Sequence, residues 1–418
     1  MAEKGRLRIQ CFQYRNFIPI DGCKATITAV DQTGLQRKRS KRVTEVILQT
    51  DSSGLTETIE LDAPPRANSE SPSGENPYSL YNIRIEKEGF RDFVIDGCQV
   101  FADETAYQPA HLEEEEKISV RPEVITVQPN RLNGDFPNKI PEEETKPLPP
   151  PSSGVVLPNP VVPEFITVHE GAPASSGRNH TILYRDYIKN VASSEIYSTW
   201  PRSALEANIF CIISFTLNRI YTEWYRSRGY NFDITNSTAF DQAFSYGRNT
   251  YDNINVIVDE IFSTYIKRIG RKQPLFSQYC NGTTVTCPNW LSQWGSKYLG
   301  DQGRNAVDIL KYYYGSNIEL TTAPEVKGSP QSYPGFSLTI GSKGNPVRST
   351  QEFLNRISIN YPLIPKVAVD GIYGPKSAEQ VKVFQSIFGL PQTGVVDYKT
   401  WYKISAIYTG VTKIAELN

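Results

Sequence analysis

The chain has no run of about 18 apolar residues free of polar ones, so a membrane-spanning helix is not expected. It also has little net charge. Its 44 Lys and Arg nearly cancel 45 Asp and Glu, leaving −1. Nothing there attracts nucleic acid or an anionic membrane surface. The opening MAEKGRLRIQ lacks the apolar core of a secretory signal. The expectation is synthesis in a cytoplasm, or a signal already removed. Cysteine is scarce: six, at 11, 23, 98, 211, 280 and 287. That is too sparse for a disulfide scaffold in 418 residues. Histidine is scarcer still, with only His111, His169 and His180. None lies near Cys280 and Cys287, and that pair can be free thiols, a small-loop disulfide or, least of all, part of a metal site.

What is present suits a globular protein of about three domains. Hydrophobic residues are 39% and charged residues 21%. The 24 tyrosines offer flat faces with a polar edge, which suits carbohydrate but also fills cores. Residues 1–105 read as strands. RLRIQCF alternates, KATITAV is β-branched, and TEVILQTDSSGLTETIEL predicts a hairpin around Asp51 to Gly54. NIRIEKEGFRDFVIDGCQVF gives two more strands around Glu88-Gly89. Short, evenly spaced strands predict a small β-sandwich. Its pattern resembles the transthyretin-like and carboxypeptidase-regulatory sandwiches.

Residues 106–175 read as a linker, with an acidic run from Glu113 to Glu116 and then PEEETKPLPPP. Dense proline favours stiff, exposed polyproline II that is open to proteases. PEVITV at 122–127 and PEFITV at 163–168 form a repeat. It is either chance in a β-prone stretch or two equivalent strands flanking a cleavable segment. From 176 the period becomes helical. Apolar residues at 205, 209, 212, 213, 217, 220 and 224 predict a helix of about 25 residues with Gly229 at C′. A second helix is expected over 252–268, with a Tyr-, Phe- and Asn-rich stretch between them as a substrate-facing loop or short strands, and a third, shorter helix at the end of CPNWLSQWGSKYLGDQGRNAVDILKYYYG. Residues 336–418 predict three helices, with Pro375 at a first helical position and an apolar stripe of Ala378, Val381, Phe384 and Phe388.

Two glutamates fall within NVASSEIYSTWPRSALEANIF. Ser203 and Glu206 fit S-x-x-E, so Glu206 is expected in a capping box at the positive end of a helix. Glu195 has no such role. It sits among small and aromatic residues with no cation close in sequence, where a carboxyl is expected to hold its proton and serve as a general acid. The alternative is a solvent-facing Glu at the end of an element.

YIKNVASSEIYSTWPRSALEANIFCIISFTLNRI resembles the first motif of the SpoIID family of peptidoglycan lytic enzymes, and LSQWGSKYLGDQGRNAVDILKYYYG its second. The C-terminal DGIYG and VKVFQ resemble the peptidoglycan-binding type-1 domain. The order of regions is similar to that of clostridial spore cortex-lytic enzymes. The resemblance implies a central α+β SpoIID-like catalytic domain over 176–325 and a three-helix binding domain over 336–418. It makes Glu195 the catalytic acid, with Tyr197, Ser277, Tyr279, Gln293, Trp294 and Gly295 as substrate-binding candidates. Trp290 and Trp294 would share a face if that stretch is helical, with Trp290 equally a core residue. The family's Met-Pro after the Glu is Ile196-Tyr197 here, and no His lies downstream, so no metal or other cofactor is expected.

The implied reaction is lytic transglycosylation of the MurNAc–GlcNAc β-1,4 bond in spore cortex, during germination. The sandwich and linker become a pro-region for an activating protease. The implied location is the spore, reached without ordinary secretion. A hydrolase would need a second carboxylate, for which Asp233, Asp241 and Asp252 are available. The rival from another class is a non-catalytic wall-binding scaffold. A wall amidase or peptidase would want a metal set or a Cys–His pair, which the three upstream histidines do not supply.

Overall fold

The computed structural model describes residues 3–14, 16–31, 45–72, 74–115, 122–148, 159–284 and 287–412. The end of the acidic run, at Glu116, and Pro149 to Pro151 of the proline run lie outside them.

The N-terminal region is built from β1 (Glu3–Gln13), β2 (Lys24–Ala29), β3 (Glu45–Gln49), β4 (Ile59–Ala63), β5 (Ser79–Glu86), β6 (Phe93–Val100), β7 (Thr105–Leu112) and β8 (Glu123–Thr126). One sheet runs β3-β2-β5-β6-β8, and β4, β1 and β7 are neighbours in a second. Alternation places Leu7 and Ile9 of β1 and Ile83 and Ile85 of β5 in one core, each fully buried. The Glu88-Gly89 turn joins β5 to β6 as an antiparallel pair, and Gly89 takes the left-handed φ of 81°. The Asp51–Gly54 turn also forms, but it is not a hairpin. Asp51 Oδ1 accepts from Ser53 N and Leu55 N, and a Cβ on Gly54 would meet the Cys11 carbonyl oxygen at 2.3 Å. The strands on either side then part, β3 pairing with β2 and β4 with β1. A tight turn fixes a chain reversal, not the partner.

The boundary at 105 also moves. Strand β7 lies parallel to β1 along Arg6–Gln13, and β8 lies parallel to β6. The two sheets therefore continue to Thr126, inside the region expected to be linker. The two ITV repeats are both strands, but in different sheets.

Beyond them come β9 (Val161–Val162), β10 (Phe165–His169), β11 (Asn179–Leu183), α1 (Tyr184–Glu195), α2 (Arg202–Tyr221), β12 (Ile234–Thr235), β13 (Thr250–Tyr251), α3 (Asp252–Ile261) and β14 (Thr264–Arg268). They are followed by β15 (Tyr279–Cys280), β16 (Leu291–Ser292), α4 (Gln293–Asp301), α5 (Ala306–Tyr314), β17 (Ile318–Thr322) and β18 (Glu325–Val326). Helix α2 is the buried centre, with Leu205, Ile209, Ile212, Ile213 and Leu217 each at 1% exposure or less. It ends at Tyr221, eight residues short of Gly229. Glu223 turns to φ 46°, while Trp224 N donates to Arg219 O and Glu223 N to Ile220 O. That is a Schellman closure without glycine. Gly229 ends the short 3₁₀ turn Arg226–Arg228 instead. Helix α3 stops at Ile261, because Thr264–Arg268 pairs as a strand with β17. Trp290 and Trp294 do not share a helix face, since α4 begins at Gln293 with Ser292 as its N-cap.

The C-terminal region holds α6 (Asn345–Ile357), α7 (Pro375–Ile387) and α8 (Tyr398–Thr412). Pro375 occupies the first turn of α7, and Ala378, Val381 and Phe384 are buried. Gln351 ties the glycine turn in, accepting from Gly371 N at 2.9 Å. This unit docks on the central helices through Lys399–Glu260 at 2.7 Å and Arg185 Nη2 to Tyr402 O at 2.9 Å.

Candidate functional site

Glu195 is the last residue of α1 and is 2% exposed. Its Oε1 accepts from Ala243 N at 2.7 Å, and its Oε2 accepts from Gln293 Nε2 at 3.1 Å. Gln293 Nε2 also reaches the Glu195 carbonyl oxygen at 3.1 Å. Residues from two motifs about one hundred positions apart thus meet in one carboxylate site. The loop 237–245 supplies a third wall, held by Asn190, whose Nδ2 donates to Ser245 O and whose Oδ1 accepts from Ser245 N. Asn130 Nδ2 donates to Ser193 O and Ile196 O and so terminates α1 beside the glutamate.

A cation is present after all, from a place the sequence does not advertise. Lys139, in the proline-rich segment, is half-buried, with its Nζ 4.9 Å from the Phe215 ring centroid and 4.8 Å from that of Tyr279. Its ammonium donates to Asp241 O. Burial pushes the Lys139 amine down to about 8, with the Glu195 and Asp241 charges opposing that fall. Burial, and then the Glu195 charge, raise the Tyr279 hydroxyl well above its ordinary range.

The segment from Gln128 to Lys146 is therefore not an exposed spacer. Gln128 N donates to Ser245 Oγ, Ile140 N to Ala239 O, and Gln278 Nε2 to Ile140 O. Glu142 and the fully buried Asp241 hold the guanidinium of Arg219, itself fully buried, at 2.6 and 2.7 Å. Dense proline keeps this strap extended, but at Gln128, Ile140 and Glu142 its polar groups are matched by the central domain.

Of the predicted site residues, Glu195, Gln293, Tyr197, Tyr279 and Trp294 come together. The Tyr197 ring lies 5.8 Å from that of Trp294 and 5.9 Å from that of Trp200. Ser277 does not join them, because its hydroxyl donates to the Cys211 carbonyl at 2.8 Å inside the core. Gly295 receives an N-cap from Ser292 Oγ, and a Cβ there would meet the Tyr313 hydroxyl at 2.1 Å, so it serves packing. Glu206 forms no capping box. Pro201 takes the N-cap position and Ser203 is already helical, leaving Glu206 to pair with Arg202 at 2.7 Å. Of the spare carboxylates, Asp241 is bound to Arg219, Tyr225 and Thr235, Asp233 to Arg226 and Thr167, and Asp252 to Arg8. Among the described residues no group of three His, Cys, Asp or Glu converges as a metal site would. Sequence reasoning missed Lys139, Ala243 and Asn130. Only the unexpected lysine within a proline-rich run could have signalled the first.

Cys280 and Cys287 form a disulfide seven residues apart, and Cys280 pairs in the β15–β16 ladder with Ser292, next to Gln293. Reduction is expected to cost about 2 kcal/mol, the loop-closure contribution for so short a ring. Urea unfolding with and without dithiothreitol would measure it, and coincident curves would contradict it.

The N-terminal sheets cover the segment that follows Glu195. Phe101 packs on Tyr197 at 5.3 Å, Ser69 Oγ pairs with Thr199 Oγ1 at 2.8 Å, and Trp200 Nε1 donates to Ser69 O at 3.0 Å. Arg248, 1% exposed, bridges Ser194 Oγ and Gln99 Oε1, both at 2.8 Å. Strand β13 pairs with β7 and extends the N-terminal sheet into the central domain.

Residues 343–404, within the C-terminal helices, match the family described as "Putative peptidoglycan binding domain". That unit associates the chain with the cell wall, and peptidoglycan is the partner it supports. No curated protein matches the chain. The wild-type catechol 1,2-dioxygenase of Acinetobacter radioresistens is similar at 13% identity over 29% of this chain and 58% of that one, with a TM-score of 0.19. Chlorocatechol 1,2-dioxygenase from Pseudomonas putida is similar at 12% identity over 28% of this chain and 61% of that one, with a TM-score of 0.18. The chain thus spans less than two thirds of either enzyme, and overlaps this slight carry no argument. No described helix is long and apolar enough to cross a membrane.

Proposed function

We propose that the protein is a peptidoglycan lytic transglycosylase of spore cortex, made as a zymogen and acting in germination. The observation that carries the reading is the meeting of Glu195 and Gln293 at 3.1 Å, because each belongs to a separate motif that resembles the SpoIID family. The domain order, similar to that of the clostridial cortex-lytic enzyme SleC, supports it. In this reading Glu195 protonates the bridging oxygen between MurNAc and GlcNAc, and positive charge develops on the muramyl ring. The same carboxylate then accepts the proton of the C6 hydroxyl as that oxygen closes a 1,6-anhydro ring. One carboxylate suffices, and the engagement of Asp233, Asp241 and Asp252 elsewhere argues against a hydrolase with one of them as its second acid.

The burial of Glu195 and Tyr197, with Phe101 and Ser69 lying on the segment from Tyr197 to Trp200, supports the zymogen. Loss of the N-terminal sheets would uncover that segment. The test is the full chain against a fragment from residue 128, which keeps the strap. Both are incubated with purified cortex, and the products are read by mass spectrometry. Anhydro-muropeptides should rise at least tenfold with the fragment, and equal rates would end the zymogen reading.

One observation favours a second reading. A carboxylate at 2% exposure with two internal donors also fits a structural role in a non-catalytic wall-binding protein. In that case the fragment binds cortex and releases nothing. Binding itself should depend on the C-terminal unit, so removal of 336–418 should abolish pelleting with insoluble peptidoglycan.

A further inference from the structure

A cavity of about 230 Å³ lies where all three regions meet. Phe17 reaches it from the N-terminal sheets, Tyr184, Arg185 and Lys189 from α1, and Lys403 and Ser405 from α8. Several of its side-chain donors lack an acceptor, while the Glu164 and Asp186 carboxylates also line it. The Tyr184 hydroxyl and the Ser405 hydroxyl are buried, on residues 1% and 2% exposed, and neither has a hydrogen-bond partner among the described residues. Arg185 spends Nη2 on Tyr402 O, while Nη1 has no hydrogen bond and stands 3.5 Å from Asp259 Oδ1. Asp259 is already bound by Lys189 at 2.8 Å. The Lys403 ammonium has no ion pair among the described residues, only the Phe388 ring at 5.7 Å. Burial, and then the neighbouring Lys189 charge, push that amine down to about 8, against the pull of the Asp259 and Asp186 charges.

A buried donor without an acceptor destabilises the fold, so a fold that retains several around one cavity implies something that accepts from them. Phe17, Leu183, Phe262 and Ile407 supply apolar wall, and Lys189 and Lys327 with Arg185 and Lys403 make four cations against the two carboxylates of Glu164 and Asp186. We propose that this junction is a binding site for a small carboxylate with a short apolar body, its oxygens taken by Lys403, Ser405 and Tyr184. The volume is below the about 300–1,000 Å³ of drug-sized pockets, which suits a group the size of one or two amino acids. Two sources share that chemistry: the C-terminal carboxylate of a peptidoglycan stem peptide, and a free small organic acid. Because the walls come from all three regions, an occupant would also brace the N-terminal sheets against the rest. The proposal stands apart from the transglycosylase reading, since no residue of the Glu195 site takes part.

The test is calorimetric titration of the full chain with N-acetyl-D-alanyl-D-alanine and with butyrate, each beside its neutral carboxamide. Saturable binding of an acid, absent with its amide, is expected. Lys403→Met should weaken it at least tenfold, and Ser405→Ala by a smaller factor. Circular dichroism checks that each variant is folded, and Ser405→Ala keeps the test open should Lys403→Met fail. Preference for the dipeptide identifies a stem-peptide end, and preference for butyrate a free acid. No saturable heat from either acid, equal binding of acid and amide, or full affinity in both folded variants would each overturn the proposal.

Discussion

Glu195→Gln should lower release of anhydro-muropeptides by the fragment from 128 by about 10²–10⁴-fold, the usual contribution of a positioned general acid. Binding to insoluble peptidoglycan should stay unchanged, because the matched binding unit at 343–404 includes no part of the site. The substitution removes the transferable proton and keeps the shape. Oε1 can remain an acceptor for Ala243 N, but the new amide nitrogen would face Gln293 Nε2, donor to donor. That conflict should cost about 1–3 kcal/mol unless both amides rotate. Activity must therefore be compared at a temperature where both proteins are folded. Retained release of anhydro products would remove Glu195 from the chemistry. Reducing-end products in the unsubstituted fragment would mean a hydrolase, whose second carboxylate would have to be found outside the three that are already engaged.

Arg219→Met should destabilise the chain by about 3–5 kcal/mol, the range for breaking a buried ion pair from one side. Arg219 is fully buried, with Asp241 on one side and Glu142 on the other. Methionine fills the space but leaves Asp241, also fully buried, without its guanidinium. It also detaches the strap, since Glu142 is one of its anchors. Equilibrium unfolding in urea would measure the loss, and a change below about 1 kcal/mol would refute the role assigned to the network. The same network sets a pH dependence. Although burial opposes it, hydrogen bonds and charge from Arg219 and then Lys146 hold the Glu142 carboxyl below its usual value. A depressed carboxylate contributes stability that is present above its unfolded value of about 4.3 and lost as pH falls through the folded one. Glu142→Gln should flatten the unsubstituted protein's acid loss below about pH 5, and an unchanged profile would contradict this.

Local chemistry was legible where neighbours in sequence decide it. The Glu88-Gly89 turn, the start of α7 at Pro375 and the apolar stripe behind it follow from φ preferences and helical period. The strands flanking Asp51–Gly54 were legible as strands, yet not their partners, because equal alternation suits either sheet. Gly229 looked like a helix end because glycine accepts left-handed φ cheaply. The α2 closure fell instead on Glu223, where the chain turns so that Arg219 can meet Asp241.

The sequence by itself determined the strand-rich start, the helical C-terminal unit that matches a peptidoglycan-binding family, and the two motifs that point to Glu195 and Gln293. Their residue types and spacings act over one turn or one strand, and survive without knowledge of the fold. Only the tertiary structure decided that those motifs meet at 3.1 Å, that Lys139 of the proline-rich strap enters beside them, and that the N-terminal sheets cover Tyr197. Those outcomes depend on which buried polar group finds which distant partner. Burial and pairing of that kind have no signature in the residues on either side.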